Sequence, residues 1–160
     1  MEERIARLEA VDEIKALKHR YLRACDAKQP DVFRDCFVRS GASIDYGPRI
    51  GKFEDADGIA AVFERVALQR VEGALVIFDM HHGVHPEIEI VDATHASGAW
   101  TLRFRQVNLV EETEQVSNIE YADEYEVEDG RWRIRSCRVR TLWTLTQPLP
   151  KGFRVVDSFS

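Results

Sequence analysis

The sequence predicts an α+β domain in which helices from its first half pack against one face of a curved antiparallel sheet formed by its second half. Two observations carry this. Apolar residues spaced by three or four recur before about residue 70, and strand-like runs separated by short turn-like segments occupy almost everything after about residue 73.

From residue 2 to about residue 28, Ile5, Leu8, Val11, Ile14, Leu17, Tyr21 and Cys25 draw one apolar stripe, with Glu3, Arg4, Glu13 and Lys18 largely outside it. Pro30 and Asp31 open a second short helix, "PDVFRDCFV", because the fixed φ and missing N–H of proline suit a helix's first turn. "ASIDYG" alternates like a strand. "DADGIAAVFERVALQ" returns to helical spacing through Ile59, Val62, Phe63 and Val66. The strand-like runs are "FDMHHGVHPEIEI" with its continuation to Val91, then residues 97–110, 114–127 and 132–145. "VDAT", "VEET" and "EDGR" separate them, the last with an Asp-Gly hairpin signal.

No internal repeat, linker or low-complexity stretch divides the 160 residues, so a single domain spanning 1–160 is expected. A chain of this length buries roughly 68–70% of its unfolded surface, enough for a core and an internal pocket. Its 22 Lys and Arg against 28 Asp and Glu give a net charge of −6 without a basic stripe, which argues against nucleic acid as a partner. No apolar run approaches the roughly 20 residues of a membrane helix, and "MEERIARLEA" is charged rather than leader-like, so no membrane partner and a cytoplasmic location are expected. Cys25, Cys36 and Cys137 form no CxxC pair and read as buried thiols in a reducing compartment.

Strand alternation then sorts the polar residues. In residues 119–127, Ile119, Tyr121, Asp123, Tyr125 and Val127 share the apolar, inward face. A two-residue hairpin at Asp129-Gly130 pairs Asp123 with Ser136 and Tyr121 with Arg138, which sets Arg138 one diagonal step from Asp123 as its expected partner. Cys137 then faces away from Arg138, which argues against a nucleophile. Trp100, Phe104 and Trp143 read as pocket wall or core.

Three of the five histidines, His81, His82 and His85, fall within five positions. Alternation sends His81 to the face of Ile77 and Asp79 and His82 to the opposite one, while His85 precedes Pro86 at a kink. A metal held by His81, His85 and Asp79 would span the Gly83-Val84 break without a common face, so no metal is expected.

The first helix running into "RYLRACDAKQPDVFRDCF", then "MHHGVHPEIEI", "GAWTLRFR" and "YADEYEVEDGRWRI" together resemble the nuclear transport factor 2-like superfamily. The likeness lies in its SnoaL-like branch, with scytalone dehydratase, hexachlorocyclohexane dehydrochlorinase and bile-acid 7α-dehydratase. The resemblance implies a cone-shaped barrel of strongly bent antiparallel sheet enclosed by about three helices. It also implies a homo-oligomer, dimer or trimer, built through the outer sheet face. In the dehydratase-like members an aspartate ending the first helix pairs with a histidine on the sheet, beside a tyrosine one turn earlier; these map onto Asp26, His81 and Tyr21. Arg138 or Arg140 matches an arginine common near the end of the final strand, and Asp123, Tyr121, Trp100 and Phe104 are expected around the substrate. Phe104 stands where the bile-acid enzyme-like pocket carries an aspartate.

The implied activity is a cofactor-independent lyase or isomerase, Asp26 fixing the tautomer of a His81 base while Tyr21 polarises a carbonyl or a leaving hydroxyl. The substrate class is a cyclic or aromatic, largely apolar small molecule, steroid-like or polyketide. A non-catalytic ligand-binding or assembly module, and the small subunit of a ring-hydroxylating dioxygenase, share this fold and are the alternatives.

Overall fold

The computed structural model describes residues 1–159. Helix α1 (Glu2–Asp26) leads into α2 (Pro30–Asp35), strand β1 (Ser43–Asp45), the single turn α3 (Gly47–Ile50), β2 (Lys52–Phe53) and α4 (Ala56–Ala67). A minor hairpin, β3 (Arg70–Val71) with β4 (Ala74–Leu75), precedes the meander of β5 (Ile77–Ile90), β6 (His95–Asn108), β7 (Thr113–Glu128) and β8 (Arg131–Pro148). The six-stranded sheet is ordered β2-β1-β8-β7-β6-β5. It is antiparallel except where β1 runs parallel to β8, and it bends around the helices without closing, since β2 and β5 remain its edges.

Glu2 and Glu3 in the first turn of α1 complement its dipole. The helix ends where Lys28 takes φ of 58° and the following Pro30 starts α2. At α4, the Asp55 carboxylate accepts the Gly58 N–H at 2.9 Å as a cap. The stripe of α1 is buried only from Ile14 onward; Ile5 and Leu8, expected in the core, are exposed, and there the helix meets the end of β5 through the Arg7 guanidinium, which donates to the Ile90 carbonyl at 3.0 Å. Lys18, expected outside the stripe, is wholly buried. Below α1, Phe33 stacks on Phe63 at 5.1 Å and tilts against Tyr21 at the same spacing.

The Asp129-Gly130 turn takes positive φ at both positions and pairs Val127 with Trp132 and Tyr125 with Ile134, as expected from sequence. The register then slips. Arg135 is an extra residue in β8, so Glu124 faces Ser136, Asp123 faces Cys137 and Tyr121 faces Val139. A second extra residue, Leu142, sits between the Ile119–Thr141 and Asn118–Trp143 pairs.

Candidate active site

Gly83 decides how closely α1 approaches the sheet. A β-carbon there would lie 2.4 Å from Leu22 Cδ1, so the helix rests on β5 with Leu22 in its present position because residue 83 has no side chain. Asp26, one turn beyond Leu22, then lies over His81, two residues before Gly83. Because β5 is a sheet edge, the His81 backbone N–H is free of strand pairing; it donates to both Asp26 carboxylate oxygens at 3.1 Å. The same carboxylate is 2.6 Å from His81 Nδ1. Asp26 is therefore anchored by the backbone as well as by the ring it orients. With Nδ1 donating to the carboxylate, Nε2 is the unprotonated nitrogen of the neutral imidazole, and it makes no hydrogen bond among the described residues. The His81 ring lies 4.9 Å from that of Phe104.

His81 and Phe104 line a cavity of about 580 Å³ between the sheet and α1, α2, α3 and α4. Register arranges the sheet wall in rows. Tyr121 and Val139 form a deep row, followed by Leu102, Ile119 and Thr141; next come His81, Phe104, Ser117 and Thr144, and outermost Asp79, Gln106 and Gln115. Ile59, Val62 and Phe63 of α4 close the apolar side.

Deep in the chamber the Tyr21 hydroxyl is hydrogen-bonded to that of Tyr46, and Tyr21 meets Tyr121 edge-on at 6.1 Å. Withdrawal from water raises all three phenols well above their ordinary range, with neighbouring acidic groups adding to the shift, so they stay protonated and able to donate. Burial likewise pushes up the thiols of Cys25 and Cys137, which holds them as unreactive SH groups.

Of the residues selected from sequence, the structure gathers Asp26, His81, Tyr21, Tyr121 and Phe104 around this chamber. Three others lie elsewhere. The bulge at Arg135 turns Arg138 to the outer sheet face, where it shares a groove with Glu87, Glu89 and Glu124; it neither pairs with Asp123 nor reaches the chamber. Asp123 is buried and bound by Lys18 Nζ at 2.7 Å and by the Tyr125 hydroxyl at 2.9 Å, behind the chamber wall. Trp100 is core, donating Nε1–H to Tyr125 at 3.0 Å beneath α1. Trp143, also read as wall or core, is half-exposed. Arg140 reaches the rim with its guanidinium held by Glu120. His82 and His85 are exposed, His85 at φ of 53° in the β5 irregularity. Among the described residues, no three His, Cys, Asp or Glu side chains converge as metal ligands do.

Sequence reasoning missed Tyr46, Lys18 and, in the outer row, Gln106 and Gln115. Lys18 lies four residues after Ile14 and three before Tyr21, a spacing that places it on the buried face. Its ammonium sits 3.5 Å from the Tyr121 ring centroid and 4.6 Å from that of Tyr21. Gln106 shares its parity along β6 with Phe104, and Gln115 its parity along β7 with Ile119, so alternation already points both inward.

A bent antiparallel sheet enclosing a largely apolar chamber beneath helices, with the Asp26-bound His81 on its wall, defines a domain of the α+β cone class. The chain belongs to the SnoaL-like domain family, whose sequence pattern matches residues 6–138. Its fold is shared with a candidate scytalone dehydratase from Novosphingobium aromaticivorans DSM 12444, at TM-score 0.78 and 19% identity over 97% of this chain and 100% of that one. A hexachlorocyclohexane dehydrochlorinase, LinA type 2, superposes at TM-score 0.78 and 18% identity over 98% and 99% of the two chains. The LinA-type3 enzyme of Novosphingobium barchaimii LL02 does so at 0.76 and 20%, over 96% and 99%. Identities this low speak for the fold alone. No curated protein is a match to the chain.

Proposed function

We propose that this protein is a cofactor-independent lyase or isomerase whose general base is His81, acting on a cyclic or aromatic, largely apolar small molecule. The observation that carries the reading is the 2.6 Å contact of Asp26 with His81 Nδ1 on the wall of the apolar chamber. It leaves Nε2 unprotonated and gives the imidazolium that forms on proton transfer a fixed counter-charge. The dehydrochlorinase and dehydratase names of the structural neighbours are in keeping with elimination chemistry.

The reaction proceeds as follows. Nε2 takes a proton from carbon adjacent to a carbonyl, and the C–H electron pair moves into an enolate whose oxygen accepts from the tyrosine cluster. Collapse of the enolate expels a β-hydroxyl, which leaves as water with the proton carried by His81; reprotonation at another carbon instead moves the double bond. Phe104 and the α4 side chains exclude water from the base and hold a flat ring system.

The test is a panel of β-hydroxy cyclic ketones, steroid-like and aromatic, followed by the ultraviolet absorbance of the conjugated product. Wild type should convert members of the panel, and His81→Ala, checked to be folded, should lose about 10²–10⁴-fold in rate. Undiminished turnover by that variant contradicts the assignment.

A further inference from the structure

The outermost row of the chamber contains a hydrogen-bond chain that the proposed chemistry does not use. Lys28 Nζ lies 2.8 Å from Asp79 Oδ2, both side chains almost wholly buried. Asp79 Oδ1 accepts from Gln106 Nε2 at 2.9 Å, and Gln106 Oε1 accepts from Gln115 Nε2 at 3.5 Å.

The ammonium sets the direction of every link. It is donor-only, so Asp79 is the acceptor and Gln106 must present Nε2 to it; Gln106 Oε1 is then left to accept from Gln115. That last contact stands at the limit of hydrogen-bonding distance. Gln115 thus keeps one N–H and its whole Oε1 without a partner among the described residues, half-buried on the cavity wall. A buried ion pair maintained to orient two amides is a costly way to fill space, since apolar residues of similar volume usually serve as well.

We infer that Gln115, with Gln106 and the Lys28–Asp79 pair fixing its orientation, is a subsite for a hydroxyl of the substrate remote from the reacting carbon. The amide offers a donor and an acceptor side by side, which an alcohol or phenol meets with its oxygen and its hydrogen together. A carboxylate is disfavoured, because it would face Asp79 across Gln106 while the Lys28 charge is already neutralised. The row stands two strand residues, about 7 Å, from the row of His81, and Gln115 on β7 lies two strands, roughly 9–10 Å, across the sheet from the His81 strand. The preferred substrate therefore carries its hydroxyl across a fused ring system from its acidic α-carbon.

This inference rests on the proposed activity for the position of the reacting carbon, but its test is binding. The probes are 2-tetralone and 6-hydroxy-2-tetralone, titrated calorimetrically against wild type and Gln115→Leu, with Gln115→Met as a second near-isosteric variant. Wild type should bind the hydroxylated probe about five- to tenfold more tightly, the worth of one or two neutral hydrogen bonds. Both variants should lose that preference while holding 2-tetralone within about twofold of wild type. His81→Ala should keep the preference, which separates failure of the subsite from failure of the base. A wild type that binds neither probe or both equally, or variants that retain the preference, overturns the inference.

Discussion

Leu22 and Gly83 meet so closely that a single added methyl on the strand would overlap the leucine, at 2.4 Å from its Cδ1. The contact sets the height of α1 above β5 and so the reach of Asp26 to His81. Gly83→Ala should cost about 1–3 kcal/mol by overpacking and weaken the Asp26–His81 contact with it. Leu22→Ala makes room, so Gly83→Ala should cost less in that background. Urea titration of the two single variants and the double variant checks this, and strictly additive losses would dissociate the pair.

Asp26→Asn retains an oxygen for the His81 backbone N–H but gives up the charge that holds the ring proton on Nδ1. The tautomer should loosen and the rate fall by about 10²–10⁴-fold, close to the loss from removing the base. Nitrogen-15 shifts of the labelled imidazole report the tautomer directly: Nδ1–H in wild type, a mixture in the variant.

The Lys18–Asp123 pair, not an Asp123–Arg138 pair, neutralises the buried carboxylate. Lys18→Met should therefore destabilise the fold by about 3–5 kcal/mol, because it strands a buried charge. Lys18→Met with Asp123→Leu should recover most of that loss. Arg138→Ala, on the outer face, should stay within about 0.5 kcal/mol of wild type. Chemical denaturation of the three variants ranks them.

Tyr21, Tyr46 and Tyr121 hold their protons more tightly folded than unfolded. An unfolded phenol ionises near pH 10, so below that pH their full contribution is present. As pH rises above about 10 the unfolded chain releases protons that the folded one keeps, and stability falls. Urea midpoints should decline steeply between about pH 10 and 12, and Tyr46→Phe should flatten the decline. A midpoint unchanged to pH 12 would mean that the phenols are not buried in solution.

The fold was legible because its signals are local: apolar periodicity drew α1 and α4, Pro30 opened α2, and turn residues separated the meander. The Asp26–His81 pairing was legible through the family resemblance rather than through periodicity. Asp26 ends a helix and His81 has the inward parity of a strand, so the matched motifs needed no long-range register. Arg138 was misplaced because one bulged residue, Arg135, inverts the side chains of β8 from there to the second bulge at Leu142, and bulges leave little trace in alternation. Lys18 was overlooked because a charged residue reads as exposed until its partner is known, and Asp123 lies 105 positions away. Tyr46 reaches Tyr21 only through the turn at α3, which four residues of "GPRI" do not announce.

The central claim is that His81 removes a proton from carbon, and hydrogen–deuterium exchange tests it without the natural substrate. 2-Tetralone in D2O, followed by proton NMR, should lose its α-protons in the presence of wild type well above the buffer rate. Folded His81→Ala should bring exchange down by about 10²–10⁴-fold or to the buffer rate, whichever is reached first. Exchange at the wild-type rate in His81→Ala, or none above buffer with wild type, would contradict the account.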